Sequence, residues 1–219
     1  MQHRSQLPLI IVAFFAIYVI WGSTYLLNKI AVGQLPPFML AGVRFVVAGI
    51  LIFAIALLMG KSIRINRKQF INAGIAGFLF LSYGNGIVVW ALKYVDSNFA
   101  ALEISAQPLV ILLMMWLVQG KRIQPMSLVG VGLGIIGMYL LIDQENVVQQ
   151  EHSTAGILMI FSAMLAWGYG SLFVGKADLP SNYFVNTGYQ MLIGGILLGI
   201  MSLAFGETWV PLGAWQEPT

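Results

Sequence analysis

Seven apolar stretches divide this 219-residue chain, at 7–32, 36–59, 70–92, 98–118, 125–142, 155–174 and 183–205. A bilayer core about 30 Å thick is crossed by roughly 20 helical residues at about 1.5 Å each, so each stretch is long enough to span. Inside lipid every backbone polar group must be satisfied within the chain, which leaves helices or closed barrels. The stretches lack the apolar/polar alternation of barrel strands. The sequence therefore predicts an all-α membrane protein with seven transmembrane helices. Composition agrees: charged residues are 9% of the chain and hydrophobic residues 59%, against about 25% charge in an ordinary soluble domain.

The basic residues are gathered in links. Arg4, then Lys61, Arg64, Arg67 and Lys68, then Lys121 and Arg122, then Lys176 all fall on one side of the predicted topology. The other side has Lys29 and Lys93 near helix ends, and a link at 143–154 with acids but no Lys or Arg. By the positive-inside rule the amino terminus is cytoplasmic. Clusters spaced this way define orientation and form no continuous basic face, so nucleic acid is not an expected partner; the lipid bilayer is. A cleaved signal peptide is a poor reading of the first run, which exceeds the about 7–15 residues of a signal core and lacks a small-residue cleavage site.

Self-comparison is more informative still. A shift of 146 residues, the separation of Trp21 from Trp167, also aligns Gly22 with Gly168, Gly42 with Gly188, Gly49-Ile50-Leu51 with Gly195-Ile196-Leu197, and Gly60 with Gly206. Over Trp21–Gly60 the shift matches 11 of 40 positions, where apolar composition alone gives about four. The sixth run thus repeats the first and the seventh repeats the second. The two copies start an odd number of spans apart, so the second enters from the opposite side, the pattern of an inverted-topology repeat. The expected units are a five-helix repeat at 7–142 and a partial second repeat at 155–219.

The Trp21-Gly22-Ser23-Thr24 turn, the Pro-Pro-Phe-Met-Leu-Ala-Gly-Val-Arg-Phe stretch at 36–45, the Gln107-Pro108-Leu109 break and the Gly-rich fifth helix together resemble the EamA family of the drug/metabolite transporter superfamily. The resemblance covers nearly the whole chain. It implies a secondary transporter of the plasma (inner) membrane with two repeats of five helices and a central cavity. It further implies export of small metabolites such as amino acids or drugs by alternating access, with both termini cytoplasmic. Against that pattern the last three helices are missing, so the expectation is an incomplete second unit, and a truncated fragment inactive alone is the alternative.

Several side chains are candidates for lining a substrate cavity. Trp21, Tyr25 and Asn28 lie on one helical face at i, i+4 and i+7, where packing with satisfied polar tips is the competing explanation. Tyr83, Asn85 and Trp90 flank glycines that loosen a helix or let a neighbour approach closely. Glu103 and Gln107 share a face just before Pro108, which removes a backbone donor and kinks the helix. In the second copy Trp167 mirrors Trp21 and is joined by Tyr169, Ser171, Asn186 and Gln190. Lys29, Arg44 and Glu103 are intramembrane charges. A charge at mid-bilayer costs about 2.5–3.5 kcal/mol on insertion scales, so a Glu103 pair with Arg44 or Lys29 is expected, with proton coupling or substrate binding as its rival; Lys29 alternatively snorkels outward. Gly130, Gly134 and Gly137 form a small-residue stripe for helix packing within the chain or in a homodimer.

Other functions fit less well. No nucleotide-binding loop occurs, so a solute or proton gradient has to drive transport. An intramembrane enzyme needs paired acids or a nucleophile with a base, and Glu103 is the one acid well inside a span. A seven-helix photoreceptor needs a lysine in its last helix, and 183–205 has none. With no cysteine, and with His3 and His152 far apart in sequence, no metal site and no cofactor are expected.

Overall fold

The computed structural model describes residues 7–142 and 153–209. His3, Arg4, Glu151, His152 and positions 210–219 of the expected second unit lie outside the described residues. Among those described, every element is helical and none is a strand. The spans are α1 (Ile10–Val32), α2 (Pro37–Leu58), α3 (Arg67–Ala91), α4 (Ser97–Gln119), α5 (Pro125–Ile142), α6 (Ser153–Val174) and α7 (Tyr183–Ala204). All except α5, whose Pro125–Gly137 segment is a shorter apolar helix, are long and apolar enough to cross a membrane. The chain folds as the all-helical membrane protein its apolar runs predict.

Local sequence sets the helix ends. Pro37 opens α2 at a position where a missing N–H costs nothing. Asn66 caps α3 by accepting from the Gln69 amide at 2.8 Å, while the Gln69 side chain accepts from the Asn66 amide, a reciprocal capping box. Asn182 caps α7 through the Val185 amide at 3.2 Å. At the far ends Gly60 and Gly206 take φ of 67° and 69°, a left-handed turn that glycine enters without a Cβ clash. Lys61 N then donates to Ala56 O and Glu207 N to Ser202 O, both at 2.9 Å. The 146-residue shift carries these glycine turns, and both boundaries of α2, onto α7.

Those two helices cross through glycine. Gly42 lies against the backbone of Gly195 and Gly199, Gly49 against Leu192, Gly188 against Phe53 and Gly195 against Val46. Residue numbers fall along α7 as they rise along α2, so the helices are antiparallel. The contacts also exchange under the repeat shift: Val46 with Gly195 becomes Leu192 with Gly49, and Gly42 with Gly199 becomes Gly188 with Phe53. In lipid no hydrophobic force drives helices together, and close backbone approach at small residues supplies the van der Waals contact instead.

α3 and α6 complete the packed part. Gly77 sits against the Gln190 carbonyl, Gly194 against Leu81, and the buried Ser82 hydroxyl donates to Gly194 O at 2.9 Å. Phe38 and Ala41 of α2, Val89 of α3, Ala100 of α4, Ile160 and Ala163 of α6 and Leu198 of α7 form the centre of the core. α1 is peripheral, with large apolar side chains exposed along most of its length. The glycine stripe on α5 packs little within the chain: Gly134 approaches Leu109, while Gly130 and Gly137 face open space. The intrachain role expected of that stripe is therefore reduced to Gly134.

Two further departures concern the backbone. α1 contains a π-helical stretch at Ala16–Trp21 and α3 one at Phe78–Asn85. α4 breaks at Ala106 into Ser97–Ser105 and Gln107–Gln119, where Ala106 N reaches back to Glu103 O and Leu109 N to Ala106 O. The kink expected from Pro108 is thus present as a break two residues earlier.

The α2–α7 crossing makes a direct prediction. A side chain at Gly195 meets backbone atoms of Val46 and Gly42 at 2.8 and 3.0 Å, and backbone cannot step aside cheaply. Gly195→Leu should lose about 1–3 kcal/mol or more to overpacking. Gly132→Leu, which meets nothing within 4 Å, should leave stability unchanged. Melting of the two variants in detergent checks both.

Candidate functional site

Two of the polar clusters within the spans are built on α3. In one, Arg44 of α2 reaches between α1 and α3. One terminal nitrogen donates to Asn28 Oδ1 at 2.8 Å and the other to Asn85 Oδ1 at 2.7 Å. The guanidinium also lies 4.7 Å from the Phe45 ring centroid, a cation–π geometry. In the other, the Trp167 indole of α6 donates to Phe80 O at 2.8 Å and stacks edge-on against the Phe80 ring. The Tyr83 hydroxyl meets Ser162 Oγ at 3.3 Å.

The π-helical stretch of α3 organises both clusters. Hydrogen bonds that skip an extra residue widen the turn and rotate the rest of the helix. Phe80, whose carbonyl Trp167 uses, Tyr83 and Asn85 all belong to it. Gly84 sits beneath the indole: any Cβ there collides with the Trp167 ring. The glycines at 84 and 86 accordingly serve packing, against Trp167 and against Leu198. Tyr83 and Trp90, seven residues apart, nevertheless have different partners. Tyr83 turns to α6, while Trp90 joins Phe38 of α2 and Phe205 beyond α7 in an aromatic trio with centroids 5.3–5.4 Å apart.

The expected ion pair of Glu103 with Arg44 or Lys29 does not form. Arg44 is held by the two amides. Lys29 donates to the carbonyls of Leu92 and Val95, both at 2.8 Å, and lies 3.8 Å from Asp96. It is the last-turn cation of α1 closing the end of α3, where a helix presents unpaired carbonyls and a partial negative charge. Neither a free snorkel nor a partner of Glu103, Lys29 is an end clamp. Glu103, only 9% exposed, keeps Oε2 buried with no hydrogen-bond partner. It lies on the half-helix Ser97–Ser105, which packs against Gly22–Val32 and α6. One turn on, Gln107 Nε2 donates to Met164 O at 3.1 Å.

The remaining candidates are more dispersed. Trp21 is 55% and Tyr169 48% exposed, so both project from the packed bundle, whereas Tyr25 is half-buried. Of the first face, only Asn28 meets the Arg44 cluster. Trp167 mirrors Trp21 in sequence but not in environment. Gln190, which mirrors Arg44, donates to Asn186 Oδ1 within its own helix at 2.9 Å, and Ser171 donates to Trp167 O.

Residues missed in the sequence include Ser82, Ser162 and above all Glu207. Its carboxylate accepts from the amides of Phe38 and Met39 at 3.1 and 2.9 Å, capping α2 from the far end of α7. A carboxylate is favoured at a helix amino terminus, but in sequence Glu207 shows only as a lone acid past the last span. No group of His, Asp or Glu able to hold a metal occurs among the described residues.

Residues 8–143 match the model of the EamA-like transporter family. The chain is 36% identical over 208 residues to a protein of Escherichia coli K12 named uncharacterized inner membrane transporter YedA, covering 94% of this chain and 66% of that protein. It is 20% identical over 207 residues to uncharacterized transporter YoaV of Bacillus subtilis, with 94% and 70% covered. It is 28% identical over 165 residues to a probable amino-acid metabolite efflux pump of Escherichia coli, with 72% and 50% covered. The chain thus spans about two thirds, or less, of the length of these relatives. No solved structure matches.

The Trp167 seat is testable by a double-mutant cycle. Trp167→Phe should cost about 1–3 kcal/mol, because Phe80 O is left in a low-dielectric interior without its donor. Gly84→Ala should destabilise the chain by a similar amount and should lose only part of that penalty in a Trp167→Ala background, where the colliding ring is gone but Leu79 O still stands 2.7 Å from the new Cβ. Detergent melting of the four proteins measures the coupling.

Proposed function

The chain belongs to the EamA-like transporter family, and from that membership we propose that it carries a small solute across the inner membrane as a multi-pass secondary transporter, its amino terminus in the cytoplasm. The residues at 7–142 form one five-helix unit and those from 155 onward belong to a second unit inserted the other way. The supporting observation is the antiparallel glycine crossing of α2 and α7, whose contacts exchange under the repeat shift. Two like units meeting at such a seam can rock about it, opening a cavity to one face and then the other.

The direction is export and the solute an amino acid or similar metabolite, by likeness to the relative named as an amino-acid metabolite efflux pump. The cavity walls are Tyr25, Asn28, Tyr83, Asn85, Glu103 and Gln107, with Trp21 and Tyr169 on faces that the packed bundle leaves open. Glu103 carries the coupling: an acid with an unpartnered oxygen at membrane depth binds a proton or a solute cation, having no counter-charge among the described residues. An intramembrane enzyme is set aside by the family, and a receptor by the same finding.

The chain has no cysteine, so single cysteines can be introduced without a background. His3→Cys and Glu151→Cys should react with a membrane-impermeant maleimide from opposite faces of the membrane; reaction from one common face sinks the inverted arrangement. Glu103→Gln should keep the folded yield and abolish most of the export of a toxic amino-acid analogue from cells. Unchanged export by well-folded Glu103→Gln removes Glu103 from the transport cycle.

A further inference from the structure

Arg44 is a cation in the interior of the bundle whose hydrogen-bond partners are all neutral. Its two hydrogen bonds go to the amide oxygens of Asn28 and Asn85, and its third neighbour is the Phe45 ring. No Asp or Glu forms a salt bridge with it among the described residues, where the ion pair is Lys29 with Asp96. Elsewhere in this protein the intramembrane lysine finds two carbonyls and a carboxylate, so the chain can supply counter-charge where it is structural. At Arg44 it does not.

The hydrogen-bond inventory sharpens the point. A guanidinium has five N–H donors and no acceptor, so both amides must turn their oxygens towards it, and three of its donors are left over. Asn28 and Asn85 then direct their NH₂ groups elsewhere, and neither side chain makes a further hydrogen bond among the described residues. Three helices thus converge a set of unused donors around one net positive charge. Arg44, Asn28 and Asn85 are all half-buried, neither sealed in the core nor on the outer face. Nor is the cluster an obligatory part of the repeat. The copy-two counterpart of Arg44 is Gln190, satisfied within its own helix by Asn186, and the counterpart of Asn28 is Val174.

We propose that Arg44, Asn28 and Asn85 form a binding site for the carboxylate group of a small organic solute. The guanidinium supplies the counter-charge and planar donors that suit a carboxylate, and the amides hold it in place and add donors at the rim. The site rests on the transporter reading for its physiological meaning, but its ligand chemistry does not depend on it.

The test uses the purified full chain in detergent and follows melting temperature against ligand concentration, with L-phenylalanine, L-phenylalaninamide, benzoate, chloride and phosphate as probes. L-phenylalanine and benzoate should stabilise the protein, and L-phenylalaninamide, which lacks the carboxylate, should not. Asn85→Asp places a carboxylate of nearly the same shape 2.7 Å from the guanidinium. It should keep the fold and weaken benzoate and L-phenylalanine about 10- to 100-fold, the value of a charge-assisted hydrogen bond. Arg44→Gln should do the same, and Arg44→Lys should retain part of the affinity. The proposal is overturned if neither carboxylate probe binds, if the amide binds as tightly, if chloride or phosphate stabilises as well as benzoate, or if Asn85→Asp leaves the carboxylate probes unaffected. Loss of transport with carboxylate binding intact would count against the transporter reading and leave this site standing.

Discussion

The structure depends on one close approach, that of α2 and α7 through their glycines. Lipid is as apolar as leucine, so burying leucine between helices gains little in a bilayer, and what holds a bundle together is dense contact over surfaces that fit. Gly42, Gly49, Gly188 and Gly195 remove the side chains that would keep two backbones apart. Once α7 is seated, α3 packs on it through Gly77, Gly194 and the Ser82 hydroxyl, and α6 is held to α3 by the Trp167 indole. Glu207 then caps the start of α2 just past the end of α7, so the seam is closed by a charged cap as well as by packing.

A second constraint is that every polar atom at depth must have a partner or be costly. The chain meets it with neighbouring backbone more than with side-chain ion pairs. Lys29 goes to helix-end carbonyls, Gln107 to Met164 O, Trp167 to Phe80 O and Ser82 to Gly194 O. Against this background two departures stand out. Arg44 has neutral hydrogen-bond partners only, and Glu103 has an oxygen with none. The same scarcity of counter-charge that costs stability makes these two groups available to something that arrives from outside the fold.

Much of the architecture was legible in residues alone. The lengths of the apolar runs gave the helices, and the glycines that match under the 146-residue shift fall where α2 and α7 touch, because glycine is needed wherever backbones approach closely. Pro108 forecast a break in α4. The polar constellation was read less well. Tyr83 and Trp90 lie seven residues apart on one helix, yet Tyr83 meets Ser162 while Trp90 meets Phe38 and Phe205. The cost of an intramembrane charge implied an ion pair with Glu103, and the actual hydrogen-bond partners of Lys29 and Arg44 are carbonyls and amides. Neutral partners leave no charge pattern to read.

What the amino-acid order determined by itself is therefore the helical class, the apolar runs and the helix ends, since each follows from local hydropathy, backbone permissiveness and capping chemistry. The three-dimensional fold alone decided which polar group meets which. Partners such as Asn85 with Arg44, Phe80 with Trp167 and Glu207 with the amides of Phe38 and Met39 lie 41, 87 and about 169 residues apart. Their encounter depends on helix rotation and crossing, and on a π turn that shifts register by a fraction of a turn, none of which the spacing of residues along one helix encodes.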